Sequence, residues 1–385
     1  MAKANKKAAT AAGTIDNKKM LKDLIKASGS EWATIADDGG AEITGFIDTG
    51  STSLNALISG SIRGGYPVPK ITGLAGDPST GKTFFMLEGV RSFTEENPQG
   101  IVVIYDSEHN ISKALLESRG IDPTRVIVVE VDTIEDFKTR SVKMLQHYLT
   151  LDKATRPPMF MALDSLGMLS TIKETEDAAD DKHVVDMTKA RVTKGTFRIL
   201  TSLLGRARVP MIVTNHTYQS IGMFPTKKMG GGTGLEYAAS TIIFLSKKKD
   251  KEGSGMDAVV VGNDIICTLK KSRNTIENKV ISTYLSYANG LNPYAGLLDI
   301  AVGARLVKAL GRKEYQFPDG VVVHESELDK NPGAYYTEEL LDQIDEACGK
   351  IFKYSVKSDD SAAVVETTAE DAVVEDEQPL TSEEE

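Results

Sequence analysis

The sequence is short of cysteine and histidine, and each shortage closes off a class of protein. The two cysteines, Cys267 and Cys348, lie far apart and have no partner pattern. A disulfide scaffold and a cysteine-rich zinc site are therefore excluded, and a reducing compartment is expected. Five histidines are scattered without an HExxH-like spacing, so no protein-held transition metal is expected. No apolar run reaches the 18 residues of a membrane span, and MAKANKKAAT lacks the apolar centre of a secretion signal. The expectation is a cytoplasmic protein.

Bases are missing from one end. Residues 359–385 hold eleven acids and no lysine or arginine, whereas residues 1–358 hold 45 bases and 44 acids. The net charge of −10 thus belongs to an acidic tail, and a near-neutral body can still carry a basic groove. A solvated end is the ordinary reading of such a tail. Competition with an acidic ligand for that groove, or recruitment of basic proteins, is the functional one.

The most informative stretch is ITGLAGDPSTGKTFFMLEGV, residues 71–90. Gly76, Asp77, Pro78, Ser79, Thr80, Gly81, Lys82 and Thr83 fit G-x-x-x-x-G-K-[ST] at every fixed position. An apolar strand precedes the loop and a helix follows it, the context in which backbone N–H groups cradle phosphates. Lys82 is expected on the β- and γ-phosphates, and Thr83 on Mg²⁺. The chain is expected to bind a nucleoside triphosphate.

Downstream, strands and helices alternate. Strands are expected at 100–109, 125–131, 158–169 and 209–217, with helices at 111–120, 134–151 and 184–206. Three further strands follow without helices between them, giving a mostly parallel α/β sheet finished by an antiparallel ribbon. Functional groups in such a sheet gather at the carboxyl ends of the parallel strands. Asp164 ends one and is expected to hold Mg²⁺ with Thr83. Glu108 and Asp106 end another, and alternation places both on one side. Either suits the carboxylate that orients an attacking water. His216 ends a third, where a polar side chain can touch the γ-phosphate.

The segment after His216, residues 217–234, mixes Tyr218, Met223 and Phe224 with Lys227, Lys228 and glycines that include Gly230, Gly231 and Gly232. Aromatic and basic groups on a glycine-rich loop suit single-stranded nucleic acid, with a lid or plain connector as the bland alternative. Residues 173–191 form a second, acidic loop running into a helix, where Lys189, Arg191 and Lys194 could offset the charge. A solvated helix face is the plainer reading of those three.

Taken together, GDPSTGKT, the strand endings DSEH and LDS, and NH followed by a glycine-rich loop resemble the RecA recombinases. KETEDA, VVDMTKA, NHTY and MGGGTG are similar to the UvsX-type recombinases of the T-even phages, over residues 45–305. The resemblance implies a RecA-like P-loop ATPase core, with ATP and Mg²⁺ as cofactors, that polymerises on single-stranded DNA and exchanges strands with homologous duplex. It also implies a helical filament of this chain, a recombination mediator and a single-strand-binding protein as partners, and host cytoplasm as the location if the chain is phage-encoded. It makes Glu108 the catalytic carboxylate, Asp164 the second acidic group on Mg²⁺, and residues 170–186 and 217–232 the DNA-binding loops. His216 stands where RecA has a glutamine, and Tyr294 resembles the tyrosine that stacks on adenine. Lys271 and Arg273 resemble the basic pair that reaches the ATP of the adjacent subunit. Four regions follow: a polymerisation arm and helix (1–47), the ATPase core (48–305), a small C-terminal region (306–358) and an acidic tail (359–385). Two alternatives share the core. A ring helicase is disfavoured because no extended or primase-like segment precedes the core, and an ATP-binding scaffold because the groups at 82, 83, 108 and 164 are intact.

Overall fold

The computed structural model describes residues 17–36, 42–180, 188–219, 227–231, 233–253 and 259–354. In chain order the first elements are α1 (Asn17–Ala27), β1 (Gly45–Ile47), α2 (Thr52–Ser59), β2 (Tyr66–Val68), β3 (Ile71–Gly76) and α3 (Lys82–Glu96). Next come β4 (Ile101–Asp106), α4 (Lys113–Ser118), β5 (Val126–Glu130), α5 (Ile134–Thr150), β6 (Met159–Asp164), α6 (Ile172–Ala179), α7 (Lys189–Ala207), β7 (Met211–Gln219) and β8 (Lys227–Met229). The chain continues through α8 (Gly234–Ala238), β9 (Thr241–Glu252), β10 (Val259–Ser272), β11 (Val280–Ser286), β12 (Gly290–Asn292) and α9 (Leu297–Gly303). It closes with β13 (Lys308–Gly311), β14 (Glu314–Gln316), β15 (Val322–His324), α10 (Glu325–Lys330) and α11 (Glu338–Phe352).

Among the described residues the central sheet runs β12-β11-β10-β9-β3-β7-β6-β4-β5, with β8 paired to β7. The pairs from β9 through β5 on this path are parallel, and β10, β11 and β12 are added antiparallel. Alternation along the buried strands explains the two cores. In β4, Val102 and Ile104 face one side while Val103 and Tyr105 face the other. In β6, Phe160 and Ala162 oppose Met161 and Leu163 in the same way. A strand covered on both faces reads as a continuous apolar run, as these do. Helices α2 and α3 cover the first face, α5 and α7 the second.

Local chemistry sets the helix ends. Helix α3 stops at Glu96 because Asn97 precedes Pro98, which disfavours helical backbone before it. Helix α5 starts where the Thr133 hydroxyl accepts from the Asp136 N–H, with Glu135 and Asp136 beside the positive helix end. The C-terminal elements are no loose appendage: Leu340, Ile344, Cys348 and Phe352 of α11 share one apolar cluster with Leu54 and Leu57 of α2. Among the described residues no helix is long and apolar enough to cross a membrane.

Candidate functional site

Strand register assembles the site. Gly76 pairs with His216 across β3 and β7, and Asp106 pairs with Asp164 across β4 and β6. The ends of four adjacent parallel strands thus bring the glycine-rich loop, two aspartates and the histidine to one edge. The loop itself needs glycine. A Cβ on Gly76 would lie 2.5 Å from the Leu245 carbonyl oxygen and 2.6 Å from Thr80 Oγ1. Gly81 has φ +88° and turns the chain into α3, a conformation that costs glycine nothing.

Lys82 is buried and folds back on its own loop, donating to the carbonyls of Gly76 and Asp77 at 2.9 Å each. Burial pushes its ammonium below the usual lysine range. The Thr83 hydroxyl donates to Asp164 Oδ2 at 2.7 Å, and the Thr214 hydroxyl donates to Oδ1. Burial pushes the Asp164 carboxyl up, against those two hydrogen bonds. Among the described residues no cluster of three histidine, cysteine or acidic side chains could cage a metal. The Thr83–Asp164 pair is an oxygen donor set that suits a Mg²⁺ sharing its remaining ligands with phosphate and water.

The two carboxylates that sequence leaves in competition part company here. Strand β4 ends at Asp106, and the two carboxylates differ in what they touch. Asp106 is buried, and its oxygens accept the N–H groups of Glu108 (3.1 Å) and Ile111 (2.8 Å), bracing the turn. Glu108 Oε1 instead accepts from the Ser165 hydroxyl at 2.8 Å and lies 3.2 Å from His216 Nε2.

From His216 the chain runs directly into the glycine-rich segment, whose described residues 217–219 and 227–229 pair as the two antiparallel strands of a hairpin. Thr217 pairs with Met229, Tyr218 with Lys228 and Gln219 with Lys227. The His216 carbonyl accepts from the Gly230 N–H at 3.0 Å, and the Asn215 side chain donates to the Gly230 carbonyl at 2.9 Å. Gly231, with φ +76°, follows. Tyr218 and Lys228 are exposed side by side. Met223, Phe224 and Gly232 lie outside the described residues.

Other expected residues stand elsewhere. Lys189 forms an ion pair with Glu174 at 3.4 Å, next to the capping box that starts α6, so its charge is already engaged; Arg191 is exposed on α7. Tyr294 is not brought into the cleft. Its ring stacks on Tyr336 with centroids 5.6 Å apart and planes 1° apart, against the C-terminal elements. The cleft beside the phosphate loop, about 1040 Å³, is lined instead by Phe84, Arg119, Lys247, Leu285 and Tyr287. The Arg119 guanidinium lies 4.3 Å over the Phe84 ring. Sequence reading missed Tyr287, whose one signal was its place in a tight hairpin, Ala288-Asn289-Gly290.

Lys271 and Arg273 sit at the far edge. Lys271 pairs with Ile242, which pairs with Gly73, near the start of β3. At about 3.3 Å per residue this is roughly 10 Å along the strands from Gly76, with Arg273 farther still. They cannot serve the phosphate loop of their own chain. Burial and the neighbouring Arg273 push the Lys271 ammonium down, and it donates to the Glu236 carbonyl.

The sequence model of the RecA N-terminal domain matches residues 18–292. The chain belongs to the RecA family. It is 36% identical over 249 residues to the recombination and repair protein of Enterobacteria phage T4, covering 65% of this chain and 61% of that one. It is 25% identical over 295 residues to the RecA protein of Malacoplasma penetrans, covering 76% and 83%. It is 27% identical over 268 residues to the RecA protein of a Nocardioides species, covering 69% and 71%. The match thus spans about three-fifths of the phage relative's length. The family's mostly parallel sheet, flanked by helices and extended by antiparallel strands, is the one described above.

Proposed function

We propose that this RecA-family chain is a DNA-dependent ATPase that assembles as a filament on single-stranded DNA and pairs it with homologous duplex in recombination and repair. The observation that carries the reading is the continuous chain of contacts from phosphate loop to hairpin. Thr83 meets Asp164, the adjoining Ser165 meets Glu108, Glu108 meets His216, and the His216 backbone holds Gly230. A group sensitive to the γ-phosphate is therefore one hydrogen bond from the candidate DNA loop, as an ATP-controlled DNA affinity requires.

In this reading Lys82 leaves the loop carbonyls to contact the β- and γ-phosphates, while loop N–H groups cradle them. Thr83 and Asp164 would hold Mg²⁺, which supplies positive charge against that developing on the phosphoryl oxygens. Glu108, steered by Ser165 and His216, orients and deprotonates the attacking water. The base lies in the cleft between Arg119 and Tyr287, in place of Tyr294. Tyr218 stacks on bases and Lys228 meets the DNA backbone. Lys271 and Arg273 contact the triphosphate bound to the next subunit, where they stabilise transition-state charge. A recombination mediator and a single-strand-binding protein remain the partner classes that such a filament needs.

The test is ATP hydrolysis by wild type and Glu108→Gln, with and without single-stranded DNA. Expected are stimulation by DNA in the wild type and a fall of about 10²-fold or more in the variant. Hydrolysis indifferent to DNA would favour an ATP-binding scaffold. A variant that retained its rate would remove Glu108 from the catalytic role.

A further inference from the structure

The second residue of the phosphate loop is an acid, which is an odd neighbour for a triphosphate. Asp77 lays its carboxylate on the foot of the glycine-rich hairpin. Its Oδ1 accepts from the Thr217 hydroxyl at 2.6 Å, and its Oδ2 from the Lys227 ammonium at 2.8 Å. Thr217 and Lys227 come from opposite strands of the hairpin, β7 and β8, whose register also pairs Gln219 with Lys227. One carboxylate thus grips both strands where they leave the sheet. The same residue's carbonyl accepts from Lys82 at 2.9 Å, so Asp77 touches the phosphate-binding lysine through its backbone and the hairpin through its side chain.

We propose that Asp77 is a positioning residue that holds Lys227 on the nucleotide-free phosphate loop and releases it to single-stranded DNA when a triphosphate binds. The inference rests on the functional reading above and adds a second route beside His216. Two changes on loading drive the release. Phosphate charge enters next to a carboxylate of the same sign, and Lys82 is drawn off the Asp77 carbonyl toward the phosphates. The side chains of Asp77 and Lys227 are 49% and 38% exposed. A pair this open contributes little, and a weak hold is what a switch working over a severalfold range needs. Burial alone would raise the Asp77 carboxyl, but the hydrogen bonds from Lys227 and Thr217 hold it below the usual aspartate range.

The experiment is fluorescence anisotropy of labelled oligothymidine on the full chain, without nucleotide and at saturation with a slowly hydrolysed ATP analogue. Asp77→Asn is expected to bind DNA about threefold to fivefold tighter than wild type without nucleotide, shrinking the nucleotide response by the same factor. Asp77→Glu, which keeps the charge, should return toward wild type. Thr217→Val, which cuts the other arm of the grip, should move in the same direction as Asp77→Asn and substitutes for it if that variant does not fold. Nucleotide-free affinity unchanged or weakened in Asp77→Asn, with a nucleotide-responsive wild type, overturns the grip and leaves the functional reading standing. A wild type that binds DNA equally well empty and loaded overturns both.

Discussion

Asp164 sits where chain stability and function make opposite demands. Its carboxyl is buried and lies near Glu108 and Asp106, and burial raises it above the usual range. A carboxyl raised on folding binds its proton more tightly in the folded chain, so ionising it at neutral pH costs stability. The stability that its proton confers is full below the ordinary aspartate value and is lost as pH rises through the raised folded value. Asp164→Asn is therefore expected to melt no lower than wild type at pH 7 without ligand. The difference should narrow as pH is lowered toward the ordinary aspartate range. The same variant should lose the stabilisation that Mg²⁺ and ATP give the wild type. Differential scanning calorimetry with and without Mg²⁺–ATP checks both statements, and a variant that melts several degrees lower without ligand would refute the first. Asp106, its register partner across β4 and β6, is held differently. Its two oxygens accept the backbone N–H groups of Glu108 and Ile111, so its hydrogen bonds brace the turn after β4. The glycine-rich loop was legible because its residues are contiguous and its turn into α3 is set by local backbone geometry at Gly76 and Gly81. Tyr287, Lys189 and the different partners of Asp106 and Glu108 were not, because each depends on which distant segment packs alongside.

At the level of elements, the apolar runs announced the strands because both faces of the parallel sheet are covered. Strand β6, Met159–Asp164, is buried at every position, and no alternation was there to be misread. The long antiparallel ribbon was equally plain. The C-terminal region was harder, since a short amphipathic helix does not reveal its partner. Helix α11 turns Leu340, Ile344, Cys348 and Phe352 inward at helical spacing, and Asp345 accepts from the Ser61 hydroxyl and the Ile62 N–H at 2.6 and 2.7 Å. The helix thus braces α2, on the segment that leads into the phosphate-loop strand. Ile344→Ala, fully buried in the native chain, should cost about 2–5 kcal/mol of stability. Urea unfolding should show a lowered midpoint for the whole core. A separate early transition confined to the C-terminal region, with the core midpoint unmoved, would mean that α11 folds apart from it.

For the whole molecule, the decisive geometry is the length of the sheet. Lys82 stands at one end of the strands, Lys271 and Arg273 toward the other, and no side chain spans that distance within a subunit. If both sets act on one triphosphate, the second set must come from a neighbour, and a head-to-tail contact of that kind repeats into a helix. Mixing two inactive chains tests this directly. Lys82→Ala lacks the phosphate lysine but keeps the basic pair; Lys271→Ala/Arg273→Ala has the reverse defect. Where the double variant supplies the loop and Lys82→Ala supplies the pair, the interface is whole. In a randomly mixed filament at equal amounts, roughly a quarter of head-to-tail interfaces have that order. DNA-stimulated hydrolysis by the mixture should therefore recover toward a quarter of the wild-type rate, while each variant alone stays near background. If the basic pair acted within its own subunit, no mixed interface would be whole, and the mixture would show only the mean of two inactive proteins.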